Sequence, residues 1–138
     1  MIGEVIAGYR IEAGIGAELH GYGYRARSPE TGESVAVKIF SPEAEQIPGG
    51  LDSLFNELRA SSLIKQPGLV RILDCDNPPG RPAYLIREDL KGESLRACLD
   101  RVGNFSRDLE AIRNIIIQTC RALSPAHAMG LYHHCLSP

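Results

Sequence analysis

One seven-residue run limits what this chain can fold into. Ser34-Val35-Ala36-Val37-Lys38-Ile39-Phe40 is almost wholly apolar and rich in β-branched residues. Such a run reads as a strand buried on both faces. Lys38 interrupts it. A buried ammonium is costly unless an anionic group meets it. Otherwise the side chain must snorkel from the strand to water. The parts of the chain that could meet Lys38 therefore decide what it does.

With 138 residues, the chain is one domain or most of one. Hydrophobic residues make up 43% and charged residues 23%, an ordinary soluble balance. Fifteen Lys and Arg stand against seventeen Asp and Glu, a formal net charge of -2. Neither sign dominates, so nucleic acid and anionic membrane are not expected partners. Cys75, Cys98, Cys120 and Cys135 are scattered, with no CxxC pair and no metal spacing with the histidines. They read as reduced thiols of a cytoplasmic protein. No apolar run approaches the length of a membrane span, and no secretory leader is evident.

In chain order, residues 8–13 alternate as a first strand. Gly14 to Gly23 holds four glycines in ten residues, and a second strand runs from Tyr22 to Arg27. A glycine-rich turn permits close approach of a ligand, and its backbone N–H groups can cradle phosphate. Pro29 and Gly32 mark a turn before the Lys38 strand. After a Pro- and Gly-rich loop, Leu51, Leu54, Phe55, Leu58 and Ser62 fall at helical spacing, with Glu57 beside that stripe. Gln66-Pro67-Gly68 is expected to end this helix. Strands follow at residues 69–75 and 83–88, then a short helix with Leu95, Cys98 and Leu99 on one side. Ser106 is the expected N-cap of a long helix reaching about Met129.

This order of parts resembles the N-terminal half of a protein kinase domain, nearest to bacterial serine/threonine kinases of the eukaryotic type. Val35-Ala36-Val37-Lys38 resembles the V-A-x-K strand. Phe55-Asn56-Glu57 resembles the helix that supplies the ion-pair glutamate. Gln66-Pro67-Gly68-Leu69-Val70 stands in place of H-P-N-I-V, and Tyr84 to Glu88 resembles the strand entering the hinge. Gly92-Glu93-Ser94-Leu95 and Ala122 to His133 follow in the family's order. The resemblance implies an α+β fold: a kinase-like N-lobe over residues 1–90, with a five-stranded antiparallel sheet and one packed helix. Residues 91–138 would be the helical start of a C-lobe, cut off at the catalytic-loop position. It also implies nucleotide contact by Gly16, Glu18, Gly21, Lys38, Glu57, Arg87 and Glu88.

The departures are chemical. Counted back from Lys38, the G-x-G-x-x-G-x-V pattern falls on Gly16, Glu18, Gly21 and Gly23. Glu18 thus replaces a glycine and Gly23 a valine. An alternative register uses Gly14 and Gly16 with a longer loop tip. A carboxylate at position 18 repels triphosphate. Arg87 stands where the resemblance places a medium apolar residue; its guanidinium would fill the pocket, could pair with Glu57 and would compete with Lys38. The catalytic loop H-R-D-L-K-P reads His133-His134-Cys135-Leu136-Ser137-Pro138. Cys135 replaces the base aspartate, and a thiol of ordinary pKa is mostly neutral at pH 7. No metal ligand of that family is encoded in these residues.

Two other readings of the last segment are weaker. A Cys–His nucleophile pair would need adjacent side chains to converge and a third group to orient them. A zinc site from His127, His133, His134 and Cys135 matches no common spacing. The expected function is a catalytically inactive, pseudokinase-like binding or regulatory module with no metal, no cofactor and weak ATP binding at best. The alternative is a nucleotide-binding fragment of a serine/threonine kinase whose remainder lies elsewhere; a third is a remnant without a selected role. The long helix carries Leu109, Ile112, Ile115, Ile116, Ile117 and Leu123 over a wide arc. That arc is the expected contact for a homodimer or another protein partner.

Overall fold

The computed structural model describes residues 1–103, 108–132 and 136. Those residues form two compact units, 1–63 with 70–90, and 64–69 with residue 91 onward.

The first unit is a six-stranded antiparallel sheet in the order β1-β2-β3-β4-β6-β5. Its strands are β1 (Val5–Ile6), β2 (Tyr9–Glu18), β3 (Gly21–Arg27), β4 (Ser34–Phe40), β5 (Ile72–Asp76) and β6 (Tyr84–Glu88). The expected five strands become six because Val5–Ile6 adds a two-residue edge to β2. The Lys38 run is β4, and it lies inside the sheet between β3 and β6. Val35 and Val37 are fully buried there. Burying each such side chain is worth roughly 1.5–3 kcal/mol.

Side chains alternate along β4, so the sheet has two different faces. Val35 and Val37 pack with Ile11, Ala26 and Ile86 on one of them. Phe40 packs on the other with Cys75, Ala83, Leu51 and Phe55. The last two come from α1 (Gly50–Ser62), which follows a short 3-10 turn at Pro42–Gln46. Leu51 and Phe55 are one turn apart and face the sheet, and Phe55 meets the Phe40 ring edge-on at 5.6 Å.

Helix α1 stops at Ser62, before the expected Gln66-Pro67-Gly68 signal. The cause is local. The hydroxyls of Ser61 and Ser62 donate back to the carbonyls of Leu58 and Arg59 at 2.8 and 2.7 Å, competing with the helical ladder.

The second unit holds α2 (Leu95–Val102) and α3 (Leu109–Ala128). The Ser94 hydroxyl caps α2 by accepting from Ala97 N–H at 3.1 Å. Ser106 lies outside the described residues, and Asp108 caps α3 by accepting from Ala111 N–H at 2.9 Å. Pro125 sits inside α3 and does not end it. Ala122 is buried against Gly68, where an added Cβ would stand 3.1 Å from the Ala122 Cβ. On the wide apolar arc, Leu109, Ile116 and Ile117 are exposed, whereas Ile112, Ile115 and Leu123 are half-buried. No helix among the described residues is long and apolar enough to cross a membrane.

Candidate functional site

Lys38 shares its face of the sheet with Ala36 and Phe40. Directly opposed residues of an antiparallel sheet point the same way. Gly23 and Leu85 oppose Lys38, Arg25 and Arg87 oppose Ala36, and Gly21 opposes Phe40. Gly16 and Glu18 in turn oppose Gly23 and Gly21. One face therefore gathers Gly16, Glu18, Gly21, Gly23, Arg25, Lys38 and Arg87.

The glycine-rich stretch is mostly strand. Only Leu19 and His20 form the turn between β2 and β3, with His20 at φ 59. This places Gly16, Glu18, Gly21 and Gly23 in two facing pairs, the register counted from Lys38. The longer loop tip of the alternative register is not formed. Two of these glycines are needed for close approach. A Cβ at Gly21 would lie 2.1 Å from the Ile39 carbonyl oxygen, and one at Gly23 would lie 2.5 Å from Glu18 Oε1. The missing valine at position 23 and the extra carboxylate at 18 are thus one change: the glutamate side chain lies on the bare glycine.

Glu18 has a partner. Arg87 Nη2 donates to Glu18 Oε1 at 2.8 Å, and both side chains are about three-quarters buried, at 28% and 26% exposure. The pairing of Arg87 with Glu57 that the sequence suggested is replaced by this one. Glu57 is exposed, off the Leu51–Phe55 stripe. Neither Glu57 nor Lys38 takes part in any ion pair among the described residues. The Lys38–Glu57 contact implied by the resemblance is therefore not formed, because α1 turns Phe55 and Leu51, not Glu57, to the sheet.

Lys38 instead sets its ammonium 4.7 Å from the centre of the Phe40 ring. Burial pulls its pKa below the ordinary lysine value; the Glu18 charge works against that shift and Arg87 adds to it.

Glu88 is occupied structurally. Its carboxylate accepts from Arg71 N–H at 2.7 Å, and its own N–H donates to the Arg71 carbonyl at 3.0 Å. Sequence reading missed its neighbour Asp89, whose side chain is 6% exposed. Asp89 accepts from the Ser34 hydroxyl at 2.9 Å and lies 3.3 Å from Arg25 Nε. A signal was present: Arg25 and Arg87 recur at face-sharing strand positions, and a carboxylate as buried as Asp89 requires a cation beside it. His133, His134, Cys135 and Ser137 lie outside the described residues. The described residues contain no cluster of three His, Cys, Asp or Glu side chains able to hold a metal. Chemically, the described part of this face sets Lys38 and Arg87 around the Glu18 carboxylate, with Arg25 held by Asp89.

A model of the protein kinase domain matches residues 9–138. The chain belongs to the protein kinase family. It is 32% identical to the serine/threonine-protein kinase PknA of Mycobacterium tuberculosis over 142 aligned residues, covering 99% of this chain and 32% of that protein. It is 33% identical to the serine/threonine-protein kinase Pkn1 of Myxococcus xanthus, covering 100% of this chain and 19% of that one. The chain thus spans a third or less of these relatives. The crystal structure of the Mycobacterium tuberculosis PknI kinase domain superposes over the whole chain with a TM-score of 0.85 at 20% identity, using 55% of that structure. Fold and family agree: an α+β kinase-like protein built on the antiparallel sheet of β1 to β6.

Proposed function

We propose that this kinase-like chain is a binding or regulatory module that transfers no phosphoryl group. The carrying observation is the Glu18–Arg87 ion pair lying across the Lys38 face. In the family's order this is the face offered to nucleotide, and here the protein's own charges fill it. Cys135 at the base position and Ser137 at the loop lysine support the same reading. Losing such positioned groups costs several orders of magnitude in rate. ATP binds weakly at best, no metal or cofactor is required, and the module works by contact with another protein through α3. The scattered cysteines suit a cytoplasmic home.

Incubation with labelled ATP, magnesium and a generic protein substrate is expected to leave label at the buffer level. Stoichiometric labelling that vanishes in Lys38→Met would overturn the proposal. That result would favour the second reading, a nucleotide-binding part of a serine/threonine kinase, which the greater length of the relatives supports.

A further inference from the structure

Helix α1 packs on the Phe40 side of the sheet. The opposite side, centred on Val35, Val37 and Ile86, is covered by strand side chains alone. Tyrosines make much of that cover. Tyr22, Ile39 and Tyr84 oppose one another across β3, β4 and β6, and Asp76 follows on β5. Tyr24 stands two residues along β3, with its ring 5.1 Å from that of Tyr22. The Tyr22 ring lies against Gly14, where an added Cβ would be 3.3 Å from its Cε1. That ring is 43% exposed, whereas Tyr24, Ile39 and Tyr84 are half-buried. The β5 end of the row is acidic. Asp74 accepts the Tyr84 hydroxyl at 3.1 Å, and Asp76 stands 3.8 Å from Arg59; both carboxylates are exposed. Burial and the Asp74 carboxylate push the Tyr84 hydroxyl up to about 12, so it keeps its proton and Asp74 its charge.

We propose that this tyrosine face docks a proline-rich segment of a partner protein, bound as a polyproline II helix with a basic residue two positions after its second proline. Strands β3, β4 and β6 each have a neighbour on both sides, so a ligand meets side chains there and no free backbone edge. Tyr22 and Tyr84 are two strands apart, which is about 9.6 Å at about 4.8 Å per strand. A polyproline II helix turns once in three residues, about 9.3 Å. Laid across the strands, it sets one proline on Tyr22 and the next on Tyr84, with Ile39 beneath the residues between. Asp76 lies one strand further on, about one and a half residues along such a helix, and there the face turns acidic. A basic side chain at that point meets Asp74 and Asp76. Proline rings stack on tyrosine, and the helix is formed beforehand, so little ordering entropy is lost. This surface lies on the far side of the sheet from Lys38, and its occupant does not depend on whether phosphoryl transfer occurs.

The test is fluorescence anisotropy of the whole chain with a labelled alanine peptide carrying P-x-x-P-x-R. Tyr22→Ala, at an exposed position, is expected to weaken binding roughly tenfold, as loss of an aromatic anchor does. Asp74→Asn combined with Asp76→Asn is expected to weaken it roughly fivefold. The same pair of substitutions is expected to change nothing for a peptide with alanine in place of the arginine, because the coupling is then already lost. Moving the second proline one position, which turns it off the tyrosine row, is expected to abolish binding. Amide chemical shifts of labelled protein are expected to move at Tyr22, Ile39 and Tyr84, which also shows that each variant is folded. No binding at millimolar peptide, an unchanged affinity in Tyr22→Ala, or equal affinity for the shifted-proline peptide would overturn the proposal.

Discussion

Gln66 donates its side-chain amide to the carbonyl of Arg121 at 3.3 Å, and Arg121 stands four residues before Pro125. Proline has no N–H, so the Arg121 carbonyl loses its partner within the helix. The Gln66 amide supplies another donor. A proline inside a helix ordinarily kinks or ends it, yet α3 runs on to Ala128. Gln66→Ala is expected to cost about 1 kcal/mol in urea unfolding. In a Pro125→Ala background the backbone N–H returns and the same substitution is expected to cost almost nothing. An equal cost in both backgrounds would show that the two residues are not coupled.

Gly21 and Gly23 are two residues apart on β3 and should respond differently to the same substitution. At Gly21 the intruding Cβ meets backbone, 2.1 Å from the Ile39 oxygen, and the strands must separate. At Gly23 it meets the end of a glutamate side chain, which can turn away. Gly21→Ala is expected to destabilise by about 3 kcal/mol, as overpacking against rigid groups does. Gly23→Ala is expected to cost about 1 kcal/mol and to release Arg87 from Glu18. Equal losses at the two positions in thermal unfolding would contradict the placement of Glu18 over Gly23.

Lys38 should make stability depend on pH in the alkaline range. Burial lowers its pKa in the folded state below the ordinary value of 10.5. The folded chain then binds fewer protons than the unfolded chain between the two values, so stability rises with pH there. The penalty is fully present at neutral pH and is relieved as pH climbs through the lowered pKa toward 10.5. Lys38→Met is accordingly expected to melt higher than the unmodified protein at pH 7, with the gap narrowing toward pH 10.5. A gap that stays constant across that range would mean the lysine is not held against its hydration.

Most of the sheet was legible because strand signals are local. The β-branched run of β4, the Pro29–Gly32 turn and the Leu51–Phe55 stripe each state their element within a few residues. Val5–Ile6 was not legible, since two residues carry no periodicity and become a strand only by pairing with Tyr9 and Arg10. The site was half legible. The lone lysine in an apolar strand picked out Lys38, the kinase resemblance picked out Glu18 and Arg87, and their charges foretold a conflict. Which acid would meet which base was not readable, because that depends on reach across four strands. Glu57 was favoured by family order, yet Glu18 takes Arg87 because Gly23 leaves room for it. The start of α3 was misplaced for a simpler reason: Ser106 and Asp108 are both good caps, and only the accepted Ala111 N–H separates them.

The last prediction concerns α3. Leu109, Ile116 and Ile117 are 75%, 56% and 38% exposed, three large aliphatic side chains on one helix that are open to water. Covering each is worth roughly 1.5–3 kcal/mol, a large sum against the few kcal/mol of net stability typical of a domain this size. A second copy of the chain offers the same helix, and a two-fold axis would let each face cover the other. The 138-residue chain on its own is therefore expected to scatter light as a dimer at micromolar concentration. Ile116→Glu and Ile117→Glu put a charge at the centre of that contact and are expected to return it to a monomer with higher solubility. Ile115→Glu, at a half-buried position, is expected to destabilise the helix packing as well. A monodisperse monomer whose solubility neither exposed-site substitution changes would sink the idea.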